Sequence, residues 1–246
     1  MSDPLPVWRT CLDVEAQDES RYADHVNERL LTVIDGAPRR ALDLGCSKGA
    51  FGAALKQRYP GIHVTGIEAG RVPAAIAAQR LDRVICARLE NIDLASHGLA
   101  AGEIDLVVAG DILEHVVNPW DLLLRIKAFL APKAQVVASI PNVRNMLLVA
   151  ALAVNGRWQY REAGLLDITH LRFFTLEEIR RMFAETGYEV EGYTGSIARP
   201  LEQLFARNQG RDKVTLQFGR LTLADITPAE LFEVCAEQFL VRARSA

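Results

Sequence analysis

Ala41-Leu42-Asp43-Leu44-Gly45-Cys46-Ser47-Lys48-Gly49-Ala50-Phe51-Gly52 is the stretch that decides the fold of this chain. A short apolar run ends in Asp43, a glycine-bearing turn follows, and a helical pattern begins at Phe51. Strand, glycine turn and helix together turn backbone N–H groups toward a nucleotide-like ligand. Gly45 and Gly49 permit backbone angles and a close approach that a side chain would obstruct. Two other glycine loops do not fit these letters. A dinucleotide fingerprint needs glycine where Ser47 stands, and a triphosphate loop needs Ser or Thr where Gly49 follows Lys48.

What stands here, D-L-G-C-x-x-G, resembles motif I of the class I S-adenosylmethionine-dependent methyltransferases. The resemblance implies an α/β, Rossmann-like fold: a seven-stranded, mostly parallel sheet with an antiparallel last strand and a cap inserted after strand 5. It implies S-adenosylmethionine as cofactor and S-adenosylhomocysteine as product. In that family the loop holds the methionine part and the acid at the Asp43 position helps organise it, so Asp43, Gly45, Cys46 and Gly49 are cofactor candidates. The segment before motif I covers the cofactor in related enzymes, which makes Tyr22 a candidate contact; a core-facing Tyr22 is the alternative.

The bulk properties narrow the class. With 246 residues, half of them hydrophobic, the chain fits one α/β domain with room for an added segment. A net charge of −3 gives no reason to expect a nucleic-acid surface. The start lacks the basic and then apolar regions of a signal peptide, and no apolar stretch approaches the roughly 20 residues that span a bilayer. Cys11, Cys46, Cys86 and Cys235 show no C-x-x-C spacing, which argues against a zinc site and a disulfide framework. A cytoplasmic protein without stable membrane insertion is the expectation, with a homodimer left open.

Outward from motif I, residues 1–20 read as an arm and 21–34 as a helix ended by Gly36 and Pro38. Strand 2 ends in Gly66-Ile67-Glu68, and Glu68, 25 positions after Asp43, suits hydrogen bonding to ribose hydroxyls. Residues 73–81 read as a helix and 84–87 as strand 3. In the family the turn after that strand usually carries an acid near the adenine amine. Here that position falls on Arg88, a departure; Leu89 is then the candidate for packing on the ring and Glu90 for the missing acid.

Strand 4, residues 104–109, is an unbroken apolar run of the kind buried on both faces. Directly after it, Gly110-Asp111-Ile112-Leu113-Glu114-His115 is similar to the post-strand-4 motif of bacterial small-molecule methyltransferases. His115 can take a proton from a hydroxyl near neutral pH, or be a surface histidine. Asp111 and Leu113 are assigned to the cofactor side, and a single histidine beside the acids gives no support for a metal site.

Residues 143–174 exceed the minimal fold and are expected to form a cap over the acceptor pocket. They hold an apolar helix over 146–154, then Arg157-Trp158-Gln159-Tyr160, then Asp167-Ile168-Thr169-His170-Leu171-Arg172-Phe173-Phe174-Thr175. The order S-I-P-N-V-R, G-R-W, D-x-T-H-L-R-F-F-T resembles methyltransferases encoded with bacterial surface-glycan biosynthesis. Asn142, Arg144, Trp158 and Tyr160 are the expected substrate contacts, by stacking and phosphate pairing. His170 and Arg172 join His115 as catalytic candidates, or pin the cap to the core. Thr175 with Glu178 reads as a capping box, and 199–236 reads as a helical insertion before the last strand, at 238–243.

The expected reaction is methyl transfer to a small molecule, with a hydroxyl of a nucleotide- or lipid-linked sugar as the preferred acceptor. Two other readings stay open: methylation of a phenolic or quinone-precursor hydroxyl, whose enzymes share the L-E-H segment, and a non-catalytic cofactor-binding subunit.

Overall fold

The computed structural model describes Val7 and residues 24–245; Cys11 and the candidate Tyr22 lie outside the described residues. Helix α1 (Glu28–Thr32) precedes β1 (Arg40–Leu44), α2 (Ala50–Arg58), β2 (His63–Glu68), α3 (Arg71–Ala77) and β3 (Arg83–Cys86). Then come β4 (Ile104–Gly110), α4 (Pro119–Lys127), β5 (Leu130–Pro141), α5 (Met146–Asn155), α6 (Leu176–Glu185) and β6 (Tyr188–Ile197). The chain ends with α7 (Glu202–Asn208), β7 (Val214–Phe218), β8 (Leu221–Ile226), α8 (Pro228–Cys235) and β9 (Ala236–Ser245).

Seven strands form one sheet in the order β3-β2-β1-β4-β5-β9-β6. The pairings among β3, β2, β1, β4 and β5 are parallel. Strand β9 enters between β5 and β6 and runs antiparallel to both, from Gln135↔Arg244 to Pro141↔Gln238 on one side. The order reverses between β1 and β4, and that switch point opens a crevice at the carboxyl ends of the strands.

Period-two alternation divides the core into two layers. Leu42, Leu44, Val107, Ala109, Val136 and Ala138 face one cluster, packed against α4 and α6 through Leu122, Ile126, Ile179 and Phe183. Ala41, Leu106, Val108 and Val137 face the other, covered by α1, α2 and α3 through Leu30, Leu55 and Ala77. Covering both faces is what makes these strands apolar throughout.

Three segments differ from the sequence expectation. Helix α1 begins at Glu28, with residues 24–27 outside it, because the Asn27 side chain accepts from Leu30 N at 3.1 Å and caps the helix there. Thr175 does cap α6, accepting from Glu178 N at 3.3 Å, but Glu178 pairs with Arg181 instead of closing the box. Residues 199–236 are not all helical: Val-Thr-Leu-Gln-Phe alternates in burial, and β7 pairs with β8 as a hairpin. That hairpin, α8 and the α5 residues Met146, Val149 and Ala150 share a third apolar cluster. The segment after β5 and the segment before β9 thus form one lobe. This lobe explains why α5 is apolar nearly all round: one face packs inward while Leu147 and Leu152 stay exposed. Among the described residues no helix is long and apolar enough to cross a membrane.

Candidate active site

The loop after β1 takes left-handed angles at Gly45 (φ +66°), Ser47 (φ +49°) and Gly49 (φ +79°), curling its amides into a concave turn. A Cβ at Gly45 would stand 2.6 Å from Ile112 Cδ1, and one at Gly49 3.1 Å from the Ala77 backbone. Glycine is required at both positions by angle and by space. Glu68, at the end of β2, accepts from Ser47 N at 2.9 Å and Gly70 N at 2.7 Å. One carboxylate therefore ties two loops across the crevice. Burial raises the Glu68 acid against the opposing pull of those amides. Asp43 is 3% exposed, and its Oδ2 has no hydrogen-bond partner. Burial, with Glu68 nearby, pushes its carboxyl up to about 7. A buried, unpartnered acceptor beside a glycine turn suits a cationic or N–H-bearing ligand group.

At the end of β4 Asp111 adopts φ +51°, its amide shared between Ser139 O (3.1 Å) and Ser139 Oγ (3.0 Å). The amide of Gln238, on β9, donates to Asp111 Oδ1. The walls of the crevice raise the Asp111 carboxyl to about 6, although its side chain reaches solvent. Gln238 escaped the sequence reading because only strand pairing brings β9 to this edge. Arg125 escaped it too: its guanidinium donates to the carbonyls of Leu89, Glu90 and Ile92 at 2.9–3.1 Å and so fixes the loop expected near adenine. The pairing of Arg125 with Asp121 at spacing i,i+4 was the one local signal. Glu90 lies 3.8 Å from Arg88 Nε, so the two together carry no net charge at that turn.

Three residues expected on the cofactor turn inward instead. Leu113 is fully buried and Leu89 nearly so, both within the core layer of β1 and β4. Cys46 packs its sulfur over Gly66 and beside Leu81, and burial raises its thiol. Their side chains complete the core, which a strand exit needs as much as it needs polar ends.

The fold joins two of the three catalytic candidates. His115 and His170 meet edge-to-face with centroids 4.7 Å apart, and His170 Nε2 lies 4.0 Å from Glu114 Oε1. Glu114 is 1% exposed, and neither of its oxygens has a hydrogen-bond partner. Burial, then Asp111 and Asp167, raise its acid well above the usual range. Burial lowers both histidines, and for His170 the neighbouring His115 adds to the effect. The pair is therefore held neutral, the form that accepts a proton. Glu114, His115 and His170 also offer nitrogen and oxygen atoms within 4.8 Å of one another. The local sequence holds a single histidine here and so gives no support for a metal; the second, His170, arrives from the cap.

The cap is sewn to this centre by its backbone, with Leu171 N and Arg172 N both donating to Glu114 O at 2.8 and 3.0 Å. Arg172 is a strut: its guanidinium donates to the carbonyls of Leu171 and Val117. Asn142 is fully buried, donating to Glu233 O and Ala236 O and accepting from Arg144 N. Arg144 itself pairs with Glu233 at 2.5 Å and Glu230 at 3.8 Å. Both positions expected on the substrate thus hold the lobe to the sheet. Trp158, half-buried, meets Phe173 edge-on at 5.2 Å, and Phe173 lies 6.3 Å from His170; Tyr160 is exposed.

Residues 14–192 match the methyltransferase domain family, and the chain belongs to it. Among curated proteins it is similar to the ubiquinone biosynthesis O-methyltransferase of Aeromonas salmonicida, 26% identical over 176 residues, 71% of this chain and 73% of the other. The enzyme of the same name from Marinobacter nauticus is 27% identical over 208 residues, 82% and 84% of the two chains. A solved S-adenosylmethionine-dependent methyltransferase from Thermotoga maritima shares the fold with TM-score 0.58, at 16% identity over 93% of this chain and 92% of the other. The protein is a class I methyltransferase whose cofactor is S-adenosylmethionine.

Proposed function

We propose that this enzyme methylates a hydroxyl on an aromatic ring, a phenol or quinone precursor, with His115 as the general base. The observation that carries the reading is the fate of the polar cap residues. Asn142, Arg144 and Arg172, the side chains suited to a sugar or phosphate, are spent on Glu233, Ala236, Glu230, Val117 and Leu171. Thr169, Asp167 and Glu114 lie against the two histidines, and beyond them the cap carries Phe173, 6.3 Å from His170, with Trp158 edge-on to it and Leu171 and Val117 exposed. That surface suits a flat ring, offset or edge-on. The names of the two curated relatives point the same way and weigh against the sugar acceptor that the cap motif suggested.

In this reading Asp43 and the amides of the Gly45–Gly49 loop hold the methionine part of the cofactor, and Glu68 its ribose. The carboxyl of Asp43 meets the cofactor's positive end, which favours its ionised form. When bound, S-adenosylmethionine would supply a methyl group activated by its positively charged sulfur, which is also the leaving group. The protein's share is orientation, exclusion of water and proton removal. His115 takes the hydroxyl proton, and the aromatic cap residues hold the ring over it.

The test is mass spectrometry for the gain of one methyl group across catechol-type phenols, nucleotide sugars and lipid-linked sugars, each supplied with S-adenosylmethionine. Methylation of phenols alone is expected. Methylation of sugars alone would overturn the acceptor assignment, and full activity of His115→Ala on catechol would overturn the base.

A further inference from the structure

The sequence reading left Thr169 and Asp167 without a role, and the structure places both against His115. Asp167 Oδ1 accepts two hydrogens from Thr169: its amide at 2.8 Å and its hydroxyl at 2.6 Å. A threonine hydroxyl has one proton, and here it points at Asp167. The lone pairs of the same oxygen then face His115 Nδ1, 3.1 Å away. The Thr169 carbonyl, which can only accept, lies 3.2 Å from the same nitrogen. Both neighbours of Nδ1 are acceptors, so Nδ1 carries the proton and Nε2 the lone pair.

We propose that Thr169 and Asp167 are positioning residues that hold His115 in the Nδ1–H tautomer, leaving Nε2 free to take the acceptor's proton. The assignment rests on reading His115 as the base. The proton leaves the acceptor hydroxyl for Nε2, making an imidazolium whose Nδ1–H stays bonded to Thr169. It later passes to solvent, and the neutral tautomer returns. Asp167 favours that transient positive charge through Thr169, a shared-proton arrangement with a hydroxyl between carboxylate and imidazole. The other titratable groups facing His115 are His170, edge-on at 4.7 Å, and the buried Glu114, which lies toward His170 Nε2 at 4.0 Å. Neither donates to Nδ1, so neither competes for the tautomer. Because Asp167 and Thr169 belong to the cap while His115 follows β4, the base is set only when the cap is docked.

The experiment has two arms. In the first, nitrogen-15 NMR of histidine-labelled enzyme at pH 8 reads which ring nitrogen of His115 bears the proton, with His115→Gln used to assign the signal. Protonation of Nδ1 is expected; protonation of Nε2 would overturn the proposal whatever the acceptor proves to be. In the second, steady-state kinetics on catechol compare Thr169→Val with Thr169→Ser. The valine variant is expected to lose on the order of 10-fold to 100-fold in kcat with KM for catechol and cofactor unchanged, and the serine variant to stay within about threefold of wild type. Equal losses in both variants, or a loss confined to KM, would make Thr169 structural. An inactive wild type would sink the acceptor class while leaving the NMR arm to decide the tautomer.

Discussion

Replacing Asp43 by Asn should alter stability in a way that depends on pH, and the size follows from the site. The carboxyl moves from an ordinary 3.8 to about 7 on folding, through burial and Glu68. An acid raised in the folded state is tolerated only when protonated. Its full contribution holds below the unfolded value of 3.8, and stability falls as the pH climbs from there to about 7, then levels. At about 1.36 kcal/mol per pH unit the whole span is about 4 kcal/mol, of which about 3 kcal/mol lies between pH 5 and pH 8. Asparagine cannot ionise, and any cost of its amide beside the unpartnered Oδ2 position is the same at both pH values. Urea unfolding of cofactor-free protein at pH 5 and pH 8 should show the variant gaining about 3 kcal/mol on wild type between them, a midpoint shift of about 1 M. On the proposed reading, in which the ionised Asp43 meets the cofactor's ammonium, the same variant should bind S-adenosylhomocysteine more weakly by calorimetry. Wild type and variant moving in parallel across that range would refute the claim that Asp43 is held uncharged in the free enzyme.

Gly45→Ala places a methyl 2.6 Å from Ile112 Cδ1 at φ +66°; the left-handed angle alone costs about 1–2 kcal/mol, so cofactor affinity should fall by about tenfold or more, and an unchanged calorimetric affinity would remove this loop from the cofactor site. If the neutral His115 ring is the base, as proposed, the acid limb of kcat/KM on catechol should lie below the ordinary imidazole value of 6.5, since burial lowers His115; a limb above 6.5 would point to another group. Arg144→Ala should cost about 0.5–1 kcal/mol of stability, the worth of a half-exposed ion pair, with KM for the acceptor unmoved. A raised KM at unchanged melting temperature would return Arg144 to the acceptor pocket.

Motif I was legible because each of its causes is local. A glycine at a left-handed angle, an acid at a strand end and the following helix all lie within a dozen residues, and the structure keeps Asp43, Gly45, Gly49 and Glu68 around one crevice. The parallel sheet was legible for the same reason, since strands covered on both faces must be apolar throughout. The hairpin over 214–226 was missed although its alternation stood in the letters of Val214-Thr215-Leu216-Gln217-Phe218.

The cap's polar residues were less legible for a different reason. An arginine in a sequence looks available, and whether it is depends on partners the letters do not place. Arg144 finds Glu233, 89 positions away, and Arg172 finds the Val117 carbonyl, 55 away. Asn142 is consumed by the carbonyls of Glu233, in α8, and Ala236, where β9 starts. Long-range pairing converts three residues suited to bind an anion into ones that hold a lobe in place. The same pairing gave His115 what no local reading could: a second histidine, and a threonine 54 positions on that determines which of its nitrogens is basic. On the proposed reading, in which His115 is the base and Arg144 and Arg172 are spent on anchoring, acceptor specificity should change with Phe173 and Trp158 before it changes with either arginine. Phe173→Ala should therefore raise KM for catechol by about tenfold, the worth of one aromatic contact with its buried area, while cofactor affinity stays put; an unchanged KM would place the ring elsewhere.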